Sequence, residues 1–265
     1  MACIIGIVNK ECWPSLGLTD SELTSSLSNS ADLCHVLEFR SDTFDSEDMF
    51  ACLKRLRKNL KPTQKLLFTL RMERDGGACV KSPLEREQIW TKVIEHQLAD
   101  WLDIEIEEID QCTSSFLSLL RQSKTKMLLS HHCFSGSYSF QDFNLRIKKM
   151  ESYFPDILKM VVTLRSEEEF GSLMKVSQGL AKAHPLSCCI SMGEYGVASR
   201  LGSPLIGAPL TYGYLGEKPV VSGQLSVTEL DKHFKALVQM TELNKSSQKM
   251  YRNLSAYLKR EEVTL

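Results

Sequence analysis

The stretch PDILKMVVTL, Pro155 to Leu164, sets one lysine, Lys159, inside an otherwise apolar run rich in β-branched residues. A short apolar run bounded by turn-forming residues reads as a strand buried on both faces, the kind found in parallel sheets. Similar runs lie on either side of it: CIIGIV (3–8), CHVLEF (34–39), KLLFTL (65–70), WLDIEI (101–106), KMLLS (126–130), SCCISM (187–192) and PLIGAPL (204–210), with ILKMVVT (157–163) in sixth place. The longer stretches between them carry helix-start signals. Thr19 with Glu22, Ser166 with Glu169 and Ser226 with Glu229 have capping-box spacing, and Ser82, Pro83 and Glu85 supply an N-cap, an N1 proline and an N3 acid. Strand–helix alternation predicts a parallel sheet. Eight rounds of it in 265 residues predict a single-domain α/β fold, a closed (β/α)8 TIM barrel over residues 1–243. After Gln224, Leu230, Phe234 and Leu237 recur at helical spacing, and residues 244–265 read as a polar helical extension packed on the barrel or projecting from it.

Composition narrows the function. The 32 basic and 33 acidic side chains balance, which gives no support to nucleic-acid binding. No run approaches the ~20 apolar residues of a membrane span, and the N-terminal MACIIGIVNK lacks a basic leader, so it reads as the first strand. The nine cysteines are scattered and odd in number, without a C-x-x-C pair; they read as reduced, mostly buried thiols of a cytoplasmic protein. Cys133, behind two histidines, reads as a packing residue first and a reactive thiol second. No G-x-G-x-x-G or Walker loop is present.

In a barrel the chemistry gathers at the C-terminal ends of the strands. There the sequence offers Glu38, Arg40 and Asp42 after strand two, Arg71, Asp75 and a glycine pair after strand three, and His131 and His132 on strand five. Lys159 lies in strand six, Arg200 follows strand seven, and Gln224 follows strand eight. A desolvated lysine is expected to lose part of its affinity for the proton, and a neutral amine can add to a carbonyl as a Schiff-base nucleophile. The competing role is an ammonium paired with a buried carboxylate or reaching the rim. One of the two histidines points inward, because side chains alternate along a strand, and an imidazole there can move protons. Glu38 is a candidate to orient that ring. Arg71 and Arg200 suit a carboxylate or phosphate, or else form rim ion pairs with Asp42 or Asp75.

Taken in order, the segments EFRSD (38–42), FTLRMERDGG (68–77), WLDIEI (101–106), SHHCF (130–134), DILKMVV (156–162), SMGEYGVASRLGSPLIGAPLTYG (191–213) and SGQL (222–225) resemble type I 3-dehydroquinate dehydratase, the Schiff-base enzyme of the shikimate pathway. The resemblance implies a (β/α)8 barrel, usually a homodimer, with no metal or organic cofactor. It implies that Lys159 forms the imine, that His132 is the general acid/base, and that Glu38 orients it. It further implies that Arg40, Arg71, Arg200, Gln224 and Asp75 bind the substrate, 3-dehydroquinate. Three departures stand out. The lid reads Val220-Val221-Ser222-Gly223-Gln224 where the family has S-A-P-G-Q, which predicts weaker substrate binding or a shifted lid. Asp75 replaces a glutamate, and the hairpin that closes the barrel bottom in many relatives is shortened or absent ahead of strand one. Two other readings compete: a Schiff-base aldolase acting on a sugar phosphate, and a non-catalytic ligand-binding barrel with an altered lid.

Overall fold

The structure is a computed structural model describing residues 2–13, 30–134 and 139–243. Its eight strands are β1 (Cys3–Val8), β2 (Val36–Arg40), β3 (Lys65–Thr69), β4 (Trp101–Glu105), β5 (Lys126–Cys133), β6 (Ile157–Thr163), β7 (Ser187–Met192) and β8 (Leu210–Tyr214). All pairings are parallel, in the order β7-β6-β5-β4-β3-β2-β1-β8, which makes a nearly closed barrel with its seam between β7 and β8. The helices between them are α1 (Met49–Asn59), α2 (Pro83–Glu95), the single turn α3 (Ile106–Ile109), α4 (Ser114–Gln122), α5 (Phe140–Glu151), α6 (Glu167–Ala183), α7 (Gly196–Leu205) and α8 (Val227–Leu243). Among the described residues no helix is long and apolar enough to cross a membrane.

Alternation along each strand divides the core in two. Outward positions such as Leu37, Phe39, Phe68, Ile104, Leu129, Met160 and Cys189 join the cluster beneath the helices. Inward positions, among them Ile5, Val36, Leu67, Trp101, Leu128, Ile157 and Leu210, fill the barrel interior. Both faces of every strand are therefore buried, which is why these runs are mostly apolar. Lys159 occupies an inward position between Ile157 and Val161, so a polar residue in that run reaches the centre of the barrel.

The capping signals at Ser82, Ser166 and Ser226 open α2, α6 and α8, the first and last with both reciprocal hydrogen bonds of a capping box. Ser139 and Asp142 form a further box at α5 in which aspartate does the work of glutamate. Thr19 and Glu22, and the 244–265 extension, lie outside the described residues.

One strand is corrected. PLIGAPL (204–210) is not β8: its first two residues end α7, Gly207 turns the chain at φ +116°, and the strand is LTYGY, beginning at Leu210. The apolar run misled because it spans a helix end and a turn, whereas the aromatic and β-branched residues that favour a strand follow it. Pro204 closes α7 and has no N–H to give the Arg200 carbonyl one turn back. The Thr211 hydroxyl donates to that carbonyl instead, at 2.9 Å, and so ties β8 to the helix that carries Arg200. Thr211→Val leaves a buried carbonyl unpaired and is expected to cost about 1–3 kcal/mol. In a domain of this size that lowers Tm by about 2–4 °C per kcal/mol, measurable by calorimetry.

Candidate active site

Towards the C-terminal ends of the strands the inward positions turn from apolar to ionisable. Val36 is followed by Glu38 and Arg40, Trp101 by Asp103 and Glu105, Leu128 by Ser130 and His132, and Ile157 by Lys159. Each step is two residues, so each member keeps to the inner face. The strand register sets Lys159 beside Ser130 and Cys188. The result is a cavity at the barrel mouth lined by Glu38, Arg40, Arg71, Asp75, His132, Lys159, Arg200 and Gln224, together with Tyr212 and an apolar wall that includes Ile7, Met192, Val220 and Val221.

Lys159 is 5% exposed. Its Nζ lies 3.3 Å from Asp103 Oδ2, 3.6 Å from Glu38 Oε1 and 4.3 Å from the centroid of the Tyr212 ring. The buried carboxylates that the sequence reading offered as a competing partner for this lysine are therefore present, and one of them, Glu38, lines the same cavity.

Arg71 is buried and organises the neighbouring groups. Nη2 meets Asp103 at 2.5 Å, while Nη1 meets Glu105 at 2.8 Å, Ser130 Oγ at 2.9 Å and His132 Nδ1 at 3.2 Å. Ser130 also donates to Asp103, at 2.6 Å. A guanidinium only donates, so His132 Nδ1 accepts and the neutral ring carries its hydrogen on Nε2. Burial, followed by the positive charges of Arg71 and Lys159, holds the His132 pKa well below its ordinary value. Burial outweighs Arg71 at Glu105 and raises that carboxyl to about 7, whereas at Asp103 the pull of Arg71 and Lys159 overcomes burial and lowers the pKa.

The hydrogen bond to His132 therefore comes from Arg71. Glu38 is held by the Thr69 hydroxyl, at 2.8 Å, and faces Lys159. His131 points the other way and pairs with Glu107 at 3.0 Å. Arg40 makes a two-pronged pair with Asp42, both contacts 2.9 Å. Asp42 also accepts from the backbone N–H groups of Arg71 and Ala78, which binds the end of β2 to the turn that presents Arg71. That turn needs its glycines: Gly76 has φ +77°, and a side chain on Gly77 would run into the Arg71 carbonyl. Asp75 follows on the same turn; burial raises its pKa against the pull of Arg71, and its partner is Arg74 Nε at 3.2 Å.

Arg200 is the exception among these cations. It is 1% exposed, and its Nη1 donates only to carbonyls, those of Ser191 (2.7 Å), Gly196 (2.9 Å) and Gly223 (3.1 Å). Its Nε is buried with no partner among the described residues. Burial lowers its pKa to about 10. The lid closes over it: Gly193 N–H donates to Ser222, Gln224 Oε1 accepts from Val220 N–H at 3.0 Å, and Val220 and Val221 pack on the inner apolar cluster.

The sequence reading passed over Asp103, Glu105, Ser130 and Tyr212. The signal was present for the first two, since WLDIE puts Asp103 and Glu105 on the face of an inward Trp101. Among the described residues no three His, Cys, Asp or Glu side chains converge as a metal site.

Comparison with known proteins agrees with this geometry. The family model described as Type I 3-dehydroquinase matches residues 12–241. A catabolic 3-dehydroquinate dehydratase of Acinetobacter baylyi is 32% identical over 210 residues, covering 78% of this chain and 74% of the relative. A 3-dehydroquinate dehydratase of a Hydrogenobaculum species is 31% identical over 198 residues, 74% and 86% of the two chains. The crystal structure of 3-dehydroquinate dehydratase from Geobacillus kaustophilus superposes with a TM-score of 0.75 at 21% identity, covering 90% of this chain and 92% of the other, a likeness of fold.

Proposed function

Because this chain belongs to the type I 3-dehydroquinase family, and is thus a 3-dehydroquinate dehydratase and hydro-lyase of the shikimate pathway, we propose that Lys159 is the residue that binds its substrate as an imine and His132 the residue that moves the protons. The observation that carries this is a buried amine opening into a cavity where one buried cation, Arg71, is held by carboxylates and another, Arg200, has no carboxylate partner among the described residues. Such a cavity suits a ketone that also bears a carboxylate.

The steps follow from the residues. The Lys159 amine lies within 3.6 Å of two carboxylates, those of Asp103 and Glu38, which hold its nitrogen in the cavity. The amine adds to the ketone, and His132 passes protons as the carbinolamine forms and loses water. The iminium draws electrons from the neighbouring carbon, whose C–H gives its proton to His132. The enamine then expels the β-hydroxyl, which leaves as water with the proton His132 returns. Water finally releases 3-dehydroshikimate from Lys159. To act as base at Nδ1, His132 gives up the hydrogen bond from Arg71, which couples the base to that cation.

Arg200 takes the substrate carboxylate in this reading, with Arg40, Arg71, Gln224 and Asp75 around the ring hydroxyls. Its carbonyl partners fix Nη1 and leave the rest of the fork for a ligand. Arg200→Lys keeps a charge but loses the fork, and is expected to raise KM for 3-dehydroquinate roughly 10-fold or more, with a smaller change in kcat. The function itself is tested by following the conjugated enone product in ultraviolet absorbance. Turnover of 3-dehydroquinate with no cleavage of sugar phosphates is expected; the reverse would favour an aldolase, and binding without product a ligand-binding barrel. The nine cysteines, none of them joined in a disulfide, fit a reducing cytoplasm, and the family supports a homodimer.

A further inference from the structure

Tyr212 sits on β8 opposite Ile5 of β1, with its side chain in the barrel interior and 3% exposed. Its ring face lies under the Lys159 amine, and the side chain lines the same cavity. Its hydroxyl is buried and has no hydrogen-bond partner among the described residues. A buried, unpaired hydroxyl is unfavourable, and phenylalanine would fill the same space without it. An uncompensated polar atom at the mouth of a reaction cavity therefore points to a partner that arrives with the ligand.

The surroundings restrict what that partner is. Burial, with Glu38 next in effect, pushes the phenol pKa well above its ordinary value, so the group stays protonated and available as a donor. The adjoining lid residues Val220 and Val221, and Ile7 on β1, present apolar side chains that cannot donate to a substrate oxygen. Lys159 would hold the substrate's ketone carbon one bond from an amine 4.3 Å above the Tyr212 ring. Of the two ring carbons beside that ketone, one is the methylene that gives up its proton and the other carries a hydroxyl, and that hydroxyl falls within reach of the phenol.

We propose that Tyr212 is a substrate-binding residue whose phenolic O–H donates to a ring hydroxyl of the 3-dehydroquinate held on Lys159, on the side of the cavity walled by Val220 and Val221. The proposal rests on the assignment of Lys159 as the imine-forming residue. It gives Tyr212→Phe effects of opposite sense in the free and the liganded protein. In the free protein the hydroxyl has no partner among the described residues to lose, so the variant melts at the wild-type temperature or above it. With substrate, the lost donor raises KM by about 10-fold, while borohydride still traps Lys159 fully at saturating 3-dehydroquinate.

The experiment is steady-state kinetics, thermal melting and borohydride trapping on wild type and Tyr212→Phe in parallel. A raised KM with an undiminished Tm is the expected result. An unchanged KM overturns the proposal whatever kcat does, and so does a lowered Tm, which would mean that the hydroxyl is already paired in the free protein. The wild-type arm keeps the two assignments apart: a wild-type chain that turns over 3-dehydroquinate without a trappable adduct refutes Lys159, independently of what the variant does to KM.

Discussion

Lys159→Ala is expected to lower kcat by at least about 10⁴-fold, the scale seen when a covalent nucleophile is removed. The loss is that large because no neighbouring group can replace the amine: the atoms around it are the carboxylates of Asp103 and Glu38 and the face of Tyr212. Alanine also leaves those carboxylates without their cation, and breaking a buried pair from one side costs about 3–5 kcal/mol in the unfavourable limit. Asp103 keeps its direct contact with Arg71, and Glu38 keeps the Thr69 hydroxyl and the nearby charges of Arg71 and Arg40, which softens this. Lys159→Arg separates chemistry from folding. It holds a positive charge against both carboxylates yet cannot form an imine, so it is expected to be as inactive as the alanine variant with a Tm closer to wild type. Activity above about 1% in either variant would contradict the covalent route, given the scale expected for a lost nucleophile.

His132→Ala is expected to slow turnover by about 10²–10⁴-fold, the usual contribution of one acid–base group. Unlike the lysine variants it still forms the imine, so an adduct on Lys159 accumulates and is trapped by borohydride. The pH profile carries the same assignment. The active ring is neutral, and its pKa is held well below 6.5 by burial and by Arg71 and Lys159. The acid limb of kcat/KM set by this ring therefore lies below 6.5, and a limb centred at 6.5 would argue that a solvated histidine does the work. Stability follows with a definite sign. As pH falls below 6.5 the unfolded chain takes up a proton at this position before the folded chain does, so the folded state loses stability towards the lowered folded pKa. The contribution is complete above 6.5, and His132→Ala is expected to lose less stability than wild type across that acid window.

The barrel was legible because parallel strands buried on two faces leave mostly apolar runs, and seven of the eight runs coincide with strands to within a few residues. The eighth failed where Pro204 and Gly207 sit inside an apolar run, since composition there cannot tell a helix end from a strand. At the mouth, the individual side chains were readable by strand-end position and Lys159 by its place inside an apolar run; alternation put one of the two histidines inward, and the family resemblance chose His132. The partners of these side chains were not readable. Nothing in the order of residues says that Arg71 rather than Glu38 meets the His132 ring, because Arg71 lies beyond its strand and reaches inward through a turn fixed by Asp42 and the glycine pair. Asp103 and Glu105 were hidden for the opposite reason: they look like ordinary charges in an amphipathic strand until the barrel closes around them.

The account stands most directly on the covalent bond to Lys159. Wild-type protein is treated with 3-dehydroquinate and sodium borohydride, then digested and mapped by mass spectrometry. A reduced adduct on the peptide carrying Lys159, absent from Lys159→Ala and formed only with substrate, is the predicted result. A label on any other residue, or turnover that leaves no label at all, would contradict the account.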